Sequence, residues 1–370
     1  DACVKVARGA APRAEGAEGG GRGGGGAVST QPVRLVDVAQ RAGTSTKTAS
    51  RVLNGDPRVA DDTRRRVQDA MNELGYQVDV LARSLRTGVD ETIAVVVPTI
   101  GDPFFASMIE EIERAAFEGG IKVLVATNSR DPREEQRVID SLLARRVAGI
   151  IVTPFLADYS FLTAVRTPVV FLDRRPEGLD SGAVLVDDRG WAKRATEHLC
   201  RHGHQRIAIV ADDMRVRTSA YRLEGYRSAL REWSLDVDSR LEALDCERAD
   251  DAYRATLQLL DLAQPPTGIF SARSETTVGV IKALHHQNRT DTALVSFGDV
   301  ELADLVSPPV TVVDHSARTL ARRALDRLRG RMHGDADTPD DEIIDMTLIE
   351  RGSGEIRPRV TTAPAGGGVR

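Results

Sequence analysis

The sequence predicts an α/β protein in two parts, a small all-α helix-turn-helix domain followed by a two-lobed core of doubly wound parallel sheets. Three observations predict it. Leu35–Asn54 carries apolar residues at helical spacing on both sides of a glycine turn. From Thr92 onward, short apolar runs alternate with amphipathic helical stretches, the pattern of a parallel sheet covered on both faces. That alternation comes in two successive sets, which implies two similar lobes.

Residues 1–32, with GAEGGGRGGGG, hold little that can pack and read as a disordered leader. These glycines follow no strand and precede no helix, so a dinucleotide loop is not expected. In the first helix Val38 and Ala39 face inward, with Ala42 one turn on. Gly43 ends that helix, because glycine adopts the left-handed conformation at little cost. Ser45 is placed to cap the second helix. There Ala49, Val52 and Leu53 recur on the inner face and leave Thr46, Lys47, Ser50 and Arg51 outward. Such a turn exposes the N-terminal end of the second helix, the geometry that enters a DNA major groove. Asn54-Gly55-Asp56-Pro57 is a turn by composition. A third helix over Asp61–Leu74 closes the small domain with a stripe of Val67, Ala70, Met71 and Leu74. Asp61 and Asp62 suit the positive end of its dipole, and Gly75 ends it. VDVLARSLRTG (78–88) is a short amphipathic connector.

In the core, strands are expected at 93–98, 122–127, 149–153, 168–173 and 183–188, then at 206–211, 268–272 and 293–297. Helices are expected at 104–118, 132–146, 190–202, 219–232, 250–262, 275–287 and 316–331. Residues 342–353 read as one strand-like run, and 355–370 as a disordered tail.

Composition narrows the function classes. The 370-residue chain is 41% hydrophobic and 28% charged with a formal net charge of -5, so it is no polycation. Residues 33–88 nonetheless hold ten Lys/Arg against seven Asp/Glu, +3, which leaves −8 for the rest. A basic module on an acidic body suits contact with phosphate at one end only. Cys3, Cys200 and Cys246 make no disulfide framework, which points to a reducing, cytoplasmic setting. No apolar run is long enough to span a membrane, and the first residues lack the apolar stretch of a secretion signal.

Four stretches resemble the LacI/GalR family of transcriptional regulators, over roughly residues 33–354. VDVAQRAGTSTKTASRVLNGDPRVADDTRRRVQDAMNELGY resembles the family headpiece and LARSLRTG its hinge. IAVVVPTIGDPFFASMIEEIERAAFEGG with LLARRVAGIIVTP resembles the start of the effector lobe, and RHGHQRIAIV with LADLVSPPVTVV its second half. The resemblance implies a headpiece at 33–78, a hinge helix and linker at 79–92, and a core at 93–354 similar to periplasmic sugar-binding proteins. Lobe 1 would take about 93–190 and 314–334, lobe 2 about 191–313 and 340–354. Crossings between lobes would fall near Asp188–Trp191, Val313–Ser316 and Met332–Asp340. It further implies a dimeric repressor on a pseudo-palindromic operator, with a sugar or sugar derivative bound between the lobes as effector. No leucine heptad for tetramer formation appears at the C-terminus.

By the same resemblance, Thr46 and Lys47 face base edges, and Arg51 meets phosphate or bases at the groove edge. Ser45, Thr48, Ser50 and Asn54 supply contacts suited to phosphates and capping. Lys47 has the donors for guanine O6/N7, and Thr46 can meet a thymine methyl. Ala82, Arg83, Ser84 and Leu85 match the hinge helix, whose leucine wedges into the minor groove; inserting an apolar side chain between base steps kinks DNA. Core packing is the alternative role for Leu85. The effector positions that match are Phe104, Phe105, Asp173, Thr218, Arg222, Arg273 and Gly298. Phe104 and Phe105 can stack on a sugar face or simply pack the core, while Asp173 and Arg222 offer directional bonds to hydroxyls or a carboxylate.

The chain departs from the family pattern in that pocket. The usual GFDD is Ser296-Phe297-Gly298-Asp299, so Gly298 replaces an effector-binding aspartate, and Arg273-Ser274 stands where Asn-Asp is usual. Losing a carboxylate and gaining an arginine predicts an anionic effector, unless Arg273 pairs with Glu275 instead. In the headpiece, Arg34 and Ala60 occupy cap positions usually held by Thr and Ser.

No cofactor, metal or enzyme activity is expected. His198, Cys200, His202 and His204 resemble a ligand cluster, but on a helix Cys200 points away from the two histidines that flank it. No nucleophile elbow, phosphate loop or HExxH is present. Asp187-Asp188 reads as an inter-lobe or ligand-facing pair rather than a catalytic dyad.

Overall fold

A computed structural model describes residues 33–53, 56–76, 92–301, 303–314, 316–335 and 340–358. The chain divides into two compact units that part at Arg86–Thr87. Asn54, Ala82, Arg83 and Leu85 lie outside the described residues.

The first unit is a three-helix domain of α1 (Leu35–Arg41), α2 (Thr46–Leu53) and α3 (Asp61–Leu74). Val38, Ala39, Ala42, Ala49, Val52, Val67 and Ala70 form its core, with Leu35, Met71, Leu74 and Tyr76 packed around them. The turn between α1 and α2 needs Gly43 at φ +64°, and Gly75 at φ +61° closes α3. Arg34 has no acceptor with which to cap α1. Its backbone N–H instead donates to the Asp37 carboxylate at 2.8 Å, satisfying a group that a helix start leaves open.

The second unit holds two six-stranded sheets. The first contains β1 (Thr92–Val97), β2 (Lys122–Thr127), β3 (Gly149–Val152), β4 (Val169–Leu172), β5 (Ala183–Val186) and β11 (Glu342–Ile344), in the order β11-β5-β4-β3-β1-β2. The second contains β6 (Ile207–Val210), β7 (Glu242–Ala243), β8 (Gly268–Ser271), β9 (Ala293–Phe297), β10 (Thr311–Asp314) and β12 (Thr347–Ile349), in the order β12-β10-β9-β8-β6-β7. The orders match strand for strand, so the lobes repeat one topology. Only the last strands differ in sense: β11 runs parallel to β5, and β12 antiparallel to β10.

Helices α4 (Pro103–Glu118), α5 (Pro132–Ala144) and α10 (Ala317–His333) belong to the first lobe. Helices α6 (Asp188–Arg201), α7 (Arg217–Glu232), α8 (Ala249–Leu260) and α9 (Ser274–His286) belong to the second. Helices α6 and α7 approach so closely at Gly225 that a Cβ there would lie 2.3 Å from the Arg189 carbonyl oxygen. Strands buried on both faces explain the unbroken apolar runs, with β1, β3, β4, β6, β8 and β9 almost wholly inaccessible.

The chain passes between lobes at Asp187–Asp188, again between Asp314 and Ser316, and a third time at Asp345–Met346. The last differs from the expected Met332–Asp340, and lobe 2 does not begin again at 340. Glu342–Ile344 continues the first sheet, anchored by the Asp341 carboxylate, which accepts the Ala183 N–H at 2.9 Å and pairs with Arg175 at 2.8 Å. Met346 is then buried and Thr347–Ile349 joins the second sheet. The strand-like run at 342–353 is thus two strands in two sheets.

Candidate functional sites

In the headpiece, α2 presents Thr46, Lys47 and Arg51 to solvent, with Thr48 and Ser50 half-buried beside the core residue Ala49. Its start is fixed by Ser45, whose Oγ accepts the Thr48 N–H at 3.1 Å and lies 2.9 Å from the Thr48 hydroxyl. At its other end Asp56 gathers two arginines: Arg58 donates to it from Nε and Nη2, both at 2.9 Å, and Arg51 Nε lies 3.4 Å away. The hydrogen bond from the Arg58 guanidinium holds the Asp56 carboxyl down at about 2. Other acids pair away from α2, as in Arg41–Glu73 and Arg66–Asp62.

The core cleft lies beyond the C-terminal ends of the strands of both sheets, where ligands enter folds of this kind. Its space, counted out to where it meets open solvent, is about 560 Å³. Six of the seven residues expected in the effector pocket line it: Phe104, Phe105, Asp173, Thr218, Arg222 and Arg273. Gly298 does not. Its role is conformational, with φ +90°, its N–H donated to the Val313 carbonyl at 2.8 Å and its own carbonyl accepting Ser296 Oγ at 2.7 Å. The ring of its neighbour, Phe297, forms the wall instead.

Each wall is built locally. Pro103 at the first turn of α4 and Asp102 as its cap, accepting the Phe104 N–H at 3.0 Å, deliver Phe104 and Phe105 as an edge-to-face pair 5.4 Å apart. Phe105 is buried and Phe104 half-buried, so stacking on a ligand is open to the second and packing fits the first. Asp173 leaves β4 at φ +69°, a sparsely populated conformation for a residue with a Cβ. Thr218 and Arg222 share one face of α7 at i and i+4. Arg222 is buried, donating from Nε to Asp188 at 2.7 Å and from Nη1 to the Ala272 carbonyl at 2.8 Å, with its guanidinium 3.8 Å from the Phe297 ring centroid. Burial drives the Asp188 carboxyl up to about 6 despite Arg222. Asp188 is therefore the partner of a cleft arginine, which refines its reading as an inter-lobe or ligand-facing residue.

Arg273 does not turn outward to Glu275. It reaches across the cleft, donating from Nη2 to Asp102 at 2.8 Å and from Nη1 to Asp212 at 2.9 Å. Arg130 donates to the same Asp212 oxygen at 2.8 Å. The four residues form a ladder between lobes, with both aspartates buried. Its added positive charge is thus locally neutralised, which removes the original ground for an anionic ligand.

Asp102, Arg130, Arg174 and Asp212 were not among the expected pocket residues. Arg130 pairs across 82 positions of sequence, and its place depends on a loop with Ser129 and Arg130 both at positive φ. The legible signal was the pair of aspartates at Asp212-Asp213 directly after a strand, like Asp187-Asp188 after β5. Of the rejected metal cluster, Cys200 is buried, and His204 bonds the Thr267 hydroxyl and the Ile356 carbonyl. His198 lies near Glu350 and Glu355, with Glu355 also bound to the Thr311 hydroxyl and the Gly352 N–H.

A helix-turn-helix unit and a two-lobed α/β core with a charged interlobe cleft, carried on one chain, define a ligand-responsive transcriptional regulator. The comparisons agree. Residues 34–79 match the family model of bacterial regulatory proteins, lacI family, and residues 196–354 match a periplasmic binding protein-like domain. The chain is 30% identical over 331 residues to the HTH-type transcriptional repressor CytR of Escherichia coli (strain K12), covering 88% of this chain and 97% of that protein. It is 29% identical to the ribose operon repressor of the same organism, over 86% of this chain and 99% of that one. Among solved structures, the lac repressor dimer bound to operator and the anti-inducer ONPF shares the fold, with TM-score 0.76 and 24% identity over 88% of this chain and 99% of that one. The complex of the transcriptional regulator CelR with cellobiose aligns with TM-score 0.64 and 27% identity, over 87% of this chain and 99% of that one. The chain belongs to the lacI family of bacterial regulatory proteins, and it is a DNA-binding transcriptional regulator. Among the described residues no helix is long and apolar enough to cross a membrane.

Proposed function

We propose that the protein is an effector-controlled repressor that acts in the cytoplasm as a homodimer on a pseudo-palindromic operator and catalyses no reaction. The observation that carries this reading is the exposed face of α2, capped by Ser45 and studded with Thr46, Lys47 and Arg51, on the same chain as a cleft built by two lobes. Thr46 and Lys47 read base edges in the major groove. Arg51 meets phosphate, and Ser45, Thr48, Ser50 and Asn54 support the helix and its backbone contacts. Ala82, Arg83 and Leu85 form the hinge, with Leu85 as the minor-groove wedge. Phe104, Asp173, Thr218, Arg222 and Arg273 meet a sugar or sugar derivative, and Phe105 supports them. Binding between the lobes changes hinge order and so DNA affinity.

Selection of bound DNA from a random pool, followed by gel shift on the recovered sequence, tests the reading. A saturable, salt-sensitive complex with a two-fold-related site is expected. Lys47→Ala should weaken it by about ten- to hundredfold, the worth of one good base contact. Leu85→Ala should weaken it while Thr46 and Lys47 are intact. A plain solute-binding module would show only weak binding without sequence preference.

A further inference from the structure

We propose that Asp56 is a positioning residue for DNA binding. It holds the guanidinium groups of Arg51 and Arg58 together as a clamp on one backbone phosphate, which makes Arg58 a further DNA-contacting residue. This deepens the reading of α2 as the DNA-facing helix and rests on it.

The clamp grows from local geometry. Lys47 and Arg51 stand one turn apart on α2, both exposed, at the spacing that puts them on one face. The Asp56 N–H donates to the Arg51 carbonyl at 3.0 Å, so the loop leaves the helix beside that arginine. Asp56 Oδ1 accepts the Arg58 N–H at 3.0 Å, a tight turn that brings the Arg58 side chain back over the carboxylate. There Arg58 donates from Nε to Oδ1 and from Nη2 to Oδ2, each at 2.9 Å. Arg51 Nε lies 3.4 Å from the same Oδ2. Arg64 of α3 fixes the loop in turn, donating to the Asp56 carbonyl at 3.0 Å.

The anchor is covered and the cations are not. The Asp56 side chain is 14% exposed, against 48% for Arg51 and 76% for Arg58. Two guanidinium groups share one carboxylate, so the cluster keeps an excess positive charge that a single phosphate diester matches. A guanidinium also carries more N–H donors than this pairing uses. Arg58 keeps Nη1, and Arg51 keeps both terminal nitrogens, for phosphate oxygens. The Arg58 hydrogen bond holds the Asp56 carboxyl down at about 2, so the anchor stays charged near neutral pH. Exposed ion pairs contribute little to folding, so substitutions here report on DNA binding more than on stability.

The test uses the full-length protein and DNA recovered by selection, with affinity measured by fluorescence anisotropy over a series of salt concentrations. Arg58→Ala should weaken binding severalfold for every sequence and make the slope of log affinity against log salt shallower by about 0.9, one phosphate contact. Arg58→Lys keeps the charge without the fork; it should hold the slope and lose part of the affinity. Asp56→Asn is the deciding variant. Its Oδ1 still closes the turn, but an amide replaces the Oδ2 that both arginines use. If Asp56 were only an anion near DNA, removing its charge would tighten binding; the clamp requires severalfold weaker binding instead. Combined with Arg58→Ala, its effect should fall short of the sum of the two losses, because Asp56 acts in part through Arg58. Unchanged affinity and slope in Arg58→Ala overturn the contact. Binding by Asp56→Asn as tight as the parent or tighter, or strict additivity in the double variant, overturns the positioning role. Each of these results leaves the parent complex and the reading of α2 standing, whereas a parent protein that retains no sequence from the pool overturns both.

Discussion

At the scale of single residues, Asp188 makes the most direct prediction. Its folded pKa of about 6 stands above the ordinary carboxyl value of 3.8, so the folded state holds a proton that the unfolded state has released across that interval. Stability contributed by this group is therefore present below about pH 4 and declines as pH rises toward 6. Asp188→Asn gives Arg222 a neutral partner at every pH, as protonated Asp188 does below about pH 4, and so lacks this slope. The Tm deficit of the variant should accordingly be larger at pH 4.5 than at pH 7; an equal deficit at both would remove the titration account. Ser45→Ala removes the side-chain cap of α2 and should cost about 1 kcal/mol. Amide exchange at Thr48 and Ala49 should rise about fivefold, a change that hydrogen exchange resolves. The residues most readable from sequence were those tied to a local pattern, such as Ser45 before an apolar helical stripe. Arg222, Asp173 and Arg273 were reached by matching positions in a family. Arg174 and Asp212 escaped because nothing local marks them. Their environment exists only once β4 and β6 have brought two distant loops together.

At the scale of elements, the helices and inner strands followed from periodicity, because burial on one face or both writes itself into the spacing of apolar residues. The edges did not. Strand β7 is two residues long, β11 and β12 have three residues each with partly exposed faces, and β10 follows a proline pair. Short edge strands owe their form to a neighbour rather than to their own composition. One element-level device was invisible in sequence. Glu135 on α5 is fully buried and accepts the Tyr159 hydroxyl, the Asn128 amide and the backbone N–H groups of Phe155 and Leu156. Asn128 in turn accepts the Arg130 N–H at 3.0 Å. A single carboxylate thus pins two loops at the cleft, one of them carrying Arg130. Glu135→Ala would remove the shared acceptor of four donors, two of them buried, and a buried donor left unsatisfied costs about 1–3 kcal/mol. A fall in Tm on the order of 5–10 °C is expected. Binding of a ligand in the cleft, which Arg130 lines, should weaken in step, whereas a fall in Tm with unchanged affinity would show that the network holds the lobe but not the loop.

At the scale of the whole molecule, regulation requires that the lobes have two arrangements and that a ligand bind one better than the other. The Asp102–Arg273–Asp212–Arg130 ladder supplies an energetic reason for the closed arrangement, since Arg273 pairs with Asp102 and Arg130 with Asp212 of the opposite lobe, while Arg273 also joins Asp212 of its own lobe. Arg217–Glu177 adds a more exposed pair on the same divide, and exposed pairs contribute little. The ladder therefore dominates. Removing Arg273 takes the ion-pair partner from buried Asp102 and leaves Asp212 with Arg130 alone, and loss of one partner of a buried ion pair is unfavourable by about 3–5 kcal/mol. Opening the cleft to water relieves that penalty. Arg273→Ala should thus raise the ligand-free radius of gyration measured by small-angle scattering. Asp212→Asn should do the same, because it weakens the acceptor shared by Arg273 and Arg130. Arg273→Lys, with one point charge in place of a fork, should fall between. The open variants must also spend ligand binding energy on closure, so their apparent affinity for any effector should drop by the fraction of closed molecules lost. Scattering curves identical to the parent in all three variants would mean that closure is set by packing near Phe297 and not by the ladder.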